Sequence, residues 1–302
     1  MIKINIIEKK EIQEINEDTS IENLLKYSTP YTWEKVFDNA KNELKDISDL
    51  LAEDKREYPI VYPLRKNVFK VFHLTPLNKI RVVIVGQDPY HGVLQDGTPQ
   101  ATGLAFSVPF QSPIPSSLKN IYKELLHTVT DFKMPTHGDL TKWAVTERIF
   151  LLNTSLTVRS SQADSHGDIW LGFIKKVVKA IVEANPDVIF ILWGKKAERI
   201  SKFIGNNVSI LTAAHPSGLS CHRGFFGCNH FNKINELLKE KLINQITESQ
   251  KKQKDQEKQQ KQKVKIQKDK IINNISNNIV NNIINNISNN IHTEFLPIDW
   301  NV

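Results

Sequence analysis

Cysteines and long apolar runs are scarce in this 302-residue chain. Cys221 and Cys228 are the only cysteines, too few for a disulfide framework or a four-ligand zinc site, and this favours a reducing compartment. The longest apolar runs fall far short of the roughly 20 residues that a membrane-spanning helix needs, so we expect no such helix. The first twenty residues mix acids with bases, so they resemble neither a signal peptide nor an acid-poor transit peptide.

Positive charge is concentrated in one segment. The chain has a formal net charge of +7, but residues 247–270 alone hold nine lysines against four acids. That segment therefore carries +5 and the rest of the chain only +2. Bulk charge supports nucleic-acid binding by the folded part only weakly, so any such binding must depend on where Lys, Arg and His lie in its loops.

Hydrophobic patterning divides the chain into three parts. Residues 1–29 are charged and irregular, and we expect a flexible leader. Residues 30–243 show the periodicity of a folded domain. Residues 244–302 are of low complexity, with a Lys/Gln run followed by an Ile-x-Asn-Asn repeat. A period of four drifts about 40° per repeat on a helix, and Asn is a poor helix former. We therefore expect a disordered tail with a tendency to self-associate; a partner-binding segment is the alternative.

Short apolar strands alternate with amphipathic helices between residues 30 and 243. The predicted strands span residues 82–85, 149–152, 188–193 and 209–213. The predicted helices span residues 33–51, a segment capped by Ser116 or Ser117, residues 169–183, a segment after Gly194, and residues 230–243. This alternation predicts an α/β fold, with a central four-stranded, mostly parallel sheet flanked by helices on both faces in a single domain.

Each predicted strand is followed directly by a loop that is a candidate for chemistry. These loops hold Gln87, Asp88, Tyr90 and His91 after the first strand, Asn153 after the second, the Gly194 turn after the third, and residues 215–220 after the fourth. Because the carboxyl ends of parallel strands share one edge of a sheet, we expect the four loops to converge on one cleft. Considered one at a time, these residues also have purely structural explanations: Asp88 as a turn residue, Asn153 as a hydrogen-bond partner for backbone groups, and His215 as a structural histidine.

Five segments of residues 30–243 resemble the family 1 uracil-DNA glycosylases. They are GQDPYHG with the downstream QATGLAFSV, then IPSSLKNIYKEL, LLNTSLTVR, ILWG, and HPSGLSCHRGFFGCNHF, in the family's order. The resemblance implies a monomer that hydrolyses the bond between uracil and deoxyribose in single- or double-stranded DNA, with neither metal nor cofactor. It implies no membrane partner, and we expect any repair or replication proteins to bind through the termini.

The resemblance implies two catalytic residues. Asp88 is the anion beneath the sugar cation of an oxocarbenium-like transition state, and it also orients the attacking water. His215 donates a hydrogen bond to O2 of the leaving uracil anion, aided by the backbone amides of Gln87 and Asp88. A neutral histidine suffices for this donation.

Selection of uracil is assigned to a second group of side chains. Asn153 offers a donor for uracil O4 and an acceptor for N3–H, the reverse of what cytosine requires. Phe106 stacks on the base, and Gln87 lies beside it. Tyr90 would collide with the C5 methyl group of thymine, which excludes that base.

DNA handling is assigned to a third group. Ser117, Ser217, Ser220 and His91 hold phosphates, and Arg223 adds positive charge. Leu219, an apolar residue in a polar loop, is the expected wedge that enters the stack as the nucleotide flips out. As bland alternatives, Arg223 and Leu219 are an ordinary surface charge and an ordinary exposed leucine.

The chain departs from the family pattern at several places. Residues 93–99, VLQDGTP, stand where the family commonly has two residues, and they are placed to alter DNA contacts or product release. Lys195 replaces a frequent serine, Gly218 replaces a usual proline, and the spacing from Trp143 to Asn153 is one residue longer.

Two other functions compete with a uracil-specific glycosylase. One is a non-catalytic DNA-binding or adaptor protein on the same fold, and the other is a glycosylase with relaxed base specificity. Asp88, Asn153 and His215 argue against the first, and Tyr90 against the second. We expect a nuclear location, with a mitochondrial one second.

Overall fold

The computed structural model describes residues 15–294, with side chains to residue 283. The chain divides into two compact units, the first ending at Glu236 and the second beginning at Leu237. Among the described helices, none combines the length and the apolarity needed to cross a membrane.

Helices and strands alternate through the first unit. The strands are β1 (Val61–Tyr62), β2 (Val82–Gly86), β3 (Ile149–Asn153), β4 (Val158–Arg159), β5 (Ile189–Trp193) and β6 (Ser209–Ala213). The helices are α1 (Ile21–Tyr27), α2 (Glu34–Asn39), α3 (Lys41–Asp54), α4 (Lys70–Leu74), α5 (Ser116–Thr128), α6 (Thr141–Val145), α7 (Leu171–Ala184), α8 (Lys195–Glu198), α9 (Ser201–Ile204) and α10 (His230–Glu294).

The central sheet has four strands in the order β3-β2-β5-β6, and every pair is parallel. This confirms the predicted sheet, and its flanking helices complete an α/β fold. The inner strands β2 and β5 are buried at every residue, as expected of apolar strands covered on both faces. The register pairs Gly86 with Asn153, so the reactive ends of β2 and β3 are level. A separate small sheet pairs β1 with β4 in antiparallel fashion.

A cluster of aromatic rings packs α2, α4 and α7 against β3. Trp33 stacks on Phe150 at 5.1 Å between centroids and meets the edge of Phe72 at 4.9 Å. The ring nitrogen of Trp33 donates to the Thr75 carbonyl at 3.0 Å, which satisfies its one polar group. Edge-to-face aromatic pairs contribute about 0.5–1.5 kcal/mol each beyond their buried area, so the cluster holds these helices against one strand of the sheet.

Three helix predictions need correction. The helix predicted over residues 33–51 is broken at Ala40, whose N–H bonds to the Phe37 carbonyl at 3.0 Å in a tight turn, so α2 and α3 are separate. Neither Ser116 nor Ser117 caps α5: Pro115 occupies the N-cap position, and no side chain caps it. The predicted helix after Gly194 is two short helices, α8 and α9.

The predicted flexible leader is wrong for residues 21–27, which form α1. Ile21 and Leu24 are buried, and the N–H of Glu22 donates to Ser48 Oγ on α3 at 3.1 Å. Its apolar residues Ile21, Leu24 and Leu25 lie in a helix of only seven residues, which is too short for a clear periodic signal. Residues 1–14 of the predicted leader lie outside the described residues.

The predicted disordered tail also differs from the structure, since α10 runs without a break from His230 to Glu294. Asn is a poor helix former, but the Lys, Gln and Glu residues before the repeat are good ones and favour a helix that the prediction did not include. The period of four predicts no stable apolar stripe on this helix, and Ile275 and Ile279 are indeed each 53% exposed. Residues 295–302 lie outside the described part, and self-association stays a prediction.

Candidate active site

A cleft of about 480 Å³ opens at the carboxyl ends of β2, β3 and β6. Ten of the twelve predicted site residues line it: Gln87, Asp88, Tyr90, His91, Phe106, Ser117, Asn153, His215, Ser217 and Leu219. Ser220 and Arg223 follow in the same loop but do not line the cleft. A larger cavity of about 700 Å³ is lined by residues between 22 and 45, among them acids and lysines but no histidine or tyrosine.

The loop after β2 is fixed by residues that follow β3. The N–H of Thr154 donates to the Gly86 carbonyl at 3.0 Å, and the N–H of Ser155 donates to the Gln87 carbonyl at 3.0 Å. The hydroxyl of Thr154 also donates to the Gln87 carbonyl, at 2.8 Å. Glycine at position 86 leaves room for the Asn153 amide, because a Cβ there would overlap Oδ1 of Asn153 and displace it. These contacts bring Asn153 close to the Asp88 loop.

The Asp88 carboxylate lies half-buried in the cleft with one strong hydrogen bond. The N–H of Asp164 donates to its Oδ2 at 2.6 Å. Burial raises the pKa of Asp88 above its usual value of 3.8, while this N–H and the nearby His91 act in the opposite direction. A desolvated carboxylate at the cleft wall is suited to stabilise a positive charge that develops beside it.

The loop of residues 160–167, which we call the clamping loop, is a functional segment that sequence reasoning missed. The N–H of Ser161 donates to the His91 carbonyl at 2.9 Å, so the loop holds the Asp88 segment at two points. Ser161 and Asp164 both have positive φ, 60° and 62°, which is uncommon outside glycine. The Asp164 side chain pairs with Lys196 on α8. Only the polar string SSQADSHGD signalled this loop, and polarity alone does not distinguish it from an ordinary surface turn.

His166, a buried residue of the same loop, fixes the loop through side-chain hydrogen bonds. Trp170 donates its ring N–H to Thr157 Oγ1 at 2.7 Å, and this oxygen lies 2.9 Å from His166 Nδ1. The other ring nitrogen of His166 lies 3.1 Å from Asp54 Oδ2. Burial lowers the pKa of His166, so the ring is neutral and its Nε2–H donates to Asp54.

Arg159 completes this network from β4. Its guanidinium donates to both carboxylate oxygens of Asp54, through Nε at 2.9 and 3.0 Å. Burial acts to raise the pKa of Asp54, but the bonds from Arg159 and His166 outweigh it and lower that pKa. A charged Asp54 therefore ties α3 to β4 and to the clamping loop.

The tautomer of His215 follows from its hydrogen bond. The N–H of Ser217 donates to His215 Nδ1 at 3.1 Å, so the proton of the neutral ring lies on Nε2. Burial lowers the pKa of His215 below its usual value of 6.5, which keeps the ring neutral. Gly194, with φ of 87°, packs closely against this histidine. A Cβ at position 194 would lie only 2.8 Å from the His215 Cβ, so glycine permits this close approach. The site thus offers a neutral N–H donor.

Phe106 and Tyr90 form an aromatic wall of the cleft. Phe106 has a φ of 64°, a strained conformation for an aromatic residue, and its ring centroid lies 5.9 Å from that of His215. The hydroxyl of Tyr90 is directed to the Phe106 carbonyl at 3.4 Å, and burial raises the pKa of this phenol. Both rings are held in place, and Asn153 is buried at the end of β3.

The loop after β6 holds its own shape through hydroxyl groups. Ser220 Oγ donates to the His215 carbonyl at 2.8 Å and lies 2.8 Å from Ser217 Oγ. Asn120 on α5 donates to the Pro216 carbonyl at 2.8 Å. At the tip, Leu219 is 90% exposed, an unusual position for a large apolar side chain. Arg223 follows in an exposed turn.

Residues 93–99 form a small hairpin outside the cleft. Val93 and Pro99 make an antiparallel bridge, and a φ of 82° at Gly97 closes the turn. At its base the N–H of Gln100 donates to the Gly92 carbonyl at 3.0 Å. Because its two ends are bonded to each other, the hairpin forms a separate loop beside the Asp88 segment, and its effect on DNA contacts or product release stays a prediction.

Comparison with known proteins gives one consistent result. Residues 72–239 match the family model described as the uracil DNA glycosylase superfamily. A protein of Photorhabdus laumondii named uracil-DNA glycosylase is 44% identical over 223 residues, covering 72% of this chain and 96% of its own length. One of Francisella tularensis subsp. novicida with the same name is 43% identical over 219 residues, covering 71% of this chain and 97% of its own length.

Solved structures agree. The crystal structure of mimivirus uracil-DNA glycosylase superposes with a TM-score of 0.69 at 28% identity, covering 72% of this chain and 86% of the viral one. A mimivirus UNG variant in complex with UGI superposes with a TM-score of 0.69 at 29% identity, covering 72% of this chain and 88% of that one. The two sequence relatives and the mimivirus crystal structure carry the same activity in their names.

Proposed function

This chain belongs to the uracil-DNA glycosylase superfamily and is a hydrolase that excises uracil from DNA in repair, and we propose that Asp88, His215 and Asn153 carry this reaction. One observation supports the proposal most directly: the three side chains follow three different strands and line one cleft. The products are free uracil and an abasic site.

Asn153 and the aromatic wall select the base. In the flipped-out state, the Asn153 amide pairs with O4 and N3–H of uracil, and the Phe106 ring stacks on its face. Tyr90 is held at the wall by burial and by its contact with the Phe106 carbonyl at 3.4 Å, so it cannot turn aside for a C5 methyl group. Gln87, next to Asp88 in the same loop, also lines the cleft.

Bond cleavage divides between two groups of opposite character. The Asp88 carboxylate stabilises the developing sugar cation and orients the attacking water. Nε2–H of His215 donates to O2 of the departing uracil anion, aided by the backbone amides of Gln87 and Asp88. Because its pKa is lowered, His215 stabilises that anion as a hydrogen-bond donor and does not need to transfer a proton.

The DNA strand is held at the rim of the cleft. Leu219 enters the base stack where the nucleotide leaves, which agrees with its exposure at a loop tip. Ser117, in the first turn of α5, binds a phosphate together with His91. To donate to a second phosphate, Ser217 gives up its contact with Ser220. Arg223 and Lys195 add positive charge beside these contacts.

Release of free uracil tests the function directly. The chain is incubated with single- and double-stranded oligonucleotides that carry one deoxyuridine, in a metal chelator, and the free base is measured by mass spectrometry. A thymine-containing duplex of otherwise identical sequence is the control. DNA binding without uracil release would favour the non-catalytic adaptor, and release of thymine at a similar rate would favour relaxed specificity.

Location and protein partners remain predictions. Nuclear residence, with a mitochondrial location second, stays a proposal, and the relatives compared are bacterial and viral. Fluorescence microscopy of the tagged chain in its own cells tests this. We also propose that the chain is a monomer, which sedimentation tests. We propose that its termini bind repair or replication proteins, which crosslinking tests.

A further inference from the structure

Six lysines of α10 share one face of the helix. They follow each other at alternating spacings of three and four residues: Lys251, Lys254, Lys258, Lys261, Lys265 and Lys268. At 3.6 residues per turn, this spacing places all six within a sector of about 100°. We call these six residues the lysine stripe.

The charge on this face is nearly all of one sign. Of the four acids between residues 247 and 270, only Asp269 falls in the sector of the stripe, at its edge. The three remaining lysines of the segment, Lys252, Lys263 and Lys270, lie on nearly the opposite face. The stripe is therefore a positive surface with a definite direction.

The stripe keeps an excess of positive charge, because its six lysines have only the four acids of residues 247–270 within three or four residues along the helix, and none of these acids, all among the described residues, pairs with them. Every residue from 251 to 270 is exposed, and across residues 15–283 no ion pair involves a lysine of this segment. Lysines four apart, such as Lys254 and Lys258 or Lys261 and Lys265, repel each other and destabilise the helix. A polyanion laid along this face would remove that repulsion.

Its dimensions fit a nucleic-acid backbone. From Lys251 to Lys268 the helix rises about 26 Å at 1.5 Å per residue, with one lysine every 5 Å or so. Duplex DNA carries one negative charge per roughly 1.7 Å of its axis, so each lysine of the stripe meets a phosphate without any need for base contacts. A polyanion with this charge density is already the substrate of the first unit.

We propose that the lysine stripe is a second DNA-binding surface, which binds phosphates of the substrate DNA without sequence preference. This proposal rests on the assignment of DNA as the substrate. Two binding surfaces on one chain raise the effective concentration of each at the DNA. The stripe therefore lengthens the time that the enzyme stays on DNA and leaves the chemical step unchanged.

Two triple variants of the full chain separate the stripe from total charge. One carries Lys254→Gln, Lys258→Gln and Lys261→Gln on the stripe, and the matched control carries Lys252→Gln, Lys263→Gln and Lys270→Gln on the opposite face. Both lose three charges, and Gln keeps the helix propensity of Lys. Circular dichroism checks that both retain their helix content. Binding is measured by fluorescence anisotropy on a uracil-free duplex of about 30 base pairs, between about 50 and 200 mM salt.

The stripe variant is expected to bind severalfold more weakly at low salt, and the slope of log affinity against log salt should become shallower by about 2 to 3. The control should keep a slope within about 1 of the unchanged chain. Equal losses in both variants would mean that only total charge matters, and no loss in either would mean that DNA is not the partner; both results overturn the proposal. Uracil release from a saturating short substrate should stay normal in both variants. If the proposed function is wrong, the unmodified chain itself will fail to release uracil, so that failure is distinguished from failure of the stripe proposal.

Discussion

Asp88 supplies the only carboxylate that the proposed reaction requires, because the uracil anion is stabilised separately by His215. We predict that Asp88→Asn lowers kcat by about 10²- to 10⁴-fold, the usual worth of a positioned catalytic carboxylate. Binding of uracil-containing DNA should change little, since Asn keeps the shape and still accepts the Asp164 N–H. Single-turnover kinetics and anisotropy measure the two effects, and near-normal turnover would remove Asp88 from the mechanism.

The same variant should also be more stable at neutral pH. Burial raises the pKa of Asp88 in the folded state above its unfolded value of about 3.8, so folding is favoured by the protonated form and stability falls as pH rises through the raised pKa. Asn removes this cost. Chemical denaturation should therefore show a higher free energy of unfolding for the variant at neutral pH, and this difference should shrink well below pH 3.8, where Asp88 is protonated in both the folded and the unfolded chain.

The acid side of the activity profile should reflect Asp88 as well. The reaction needs the carboxylate charged, so kcat/KM should decline as pH falls through its raised pKa, with the midpoint above 3.8. His215 should add no inflection at its ordinary 6.5, because burial lowers the pKa of this residue and the ring stays neutral. Two results would contradict this account. One is a midpoint of the kcat/KM profile at or below pH 3.8, and the other is an inflection near pH 6.5 that disappears in the His215→Gln variant.

Tyr90 is the residue on which rejection of thymine depends. We predict that Tyr90→Ala makes thymine excision measurable, because removing a steric wall against one methyl group is worth about 10- to 200-fold in discrimination. Tyr90→Phe keeps the ring and loses only the hydroxyl contact with Phe106, so it should still exclude thymine. Mass spectrometry of the bases released from matched uracil and thymine duplexes makes the comparison. If both variants stay blind to thymine, exclusion lies elsewhere.

At the scale of elements, the Asp88 segment is held by the loop of residues 160–167, and Lys196 on α8 holds that loop through Asp164. Both partners are partly exposed, so the pair is worth at most about 1 kcal/mol. We predict that Lys196→Met lowers kcat by about two- to fivefold with KM unchanged, as a positioning residue should. Lys195→Met is the matched control. In our proposal Lys195 adds positive charge near the DNA, so its loss should raise KM and leave kcat unchanged. The reverse pattern would contradict both assignments.

The elements that could be predicted from the sequence are those with a strong local pattern. The strands around Ile84 and Ile191 are short apolar runs that each end at polar or glycine residues, and parallel topology then fixes the edge at which Asp88, Asn153 and His215 meet. The clamping loop could not be predicted, because its role depends on the backbone N–H of Asp164 and on a positive φ, which no side chain reveals. Helix α1 was missed because its stability comes from tertiary packing onto α3.

At the scale of the whole molecule, charge and chemistry lie in different segments. Outside residues 247–270 the chain carries only +2, and the cleft relies on a few placed groups. Most of the net charge lies on a helix segment with no described catalytic residue. Such a division allows electrostatic affinity, which varies with salt, to change independently of the chemical step, which depends on buried groups that salt screens little.

This division predicts that a chain ending after Ile243 keeps its catalytic activity. The four-stranded sheet, the aromatic cluster and every residue that lines the cleft precede residue 237. Beyond residue 243 the described apolar side chains are exposed, such as Ile246 at 48%, so their removal leaves no buried side chain uncovered. We expect kcat on a short uracil oligonucleotide within about twofold of the full chain, and a melting temperature within a few degrees, since a loss of 1 kcal/mol would shift it by about 2–4 °C. KM on long DNA should rise at low salt. A truncated chain that unfolds or loses kcat would show that the second unit supports the fold of the first.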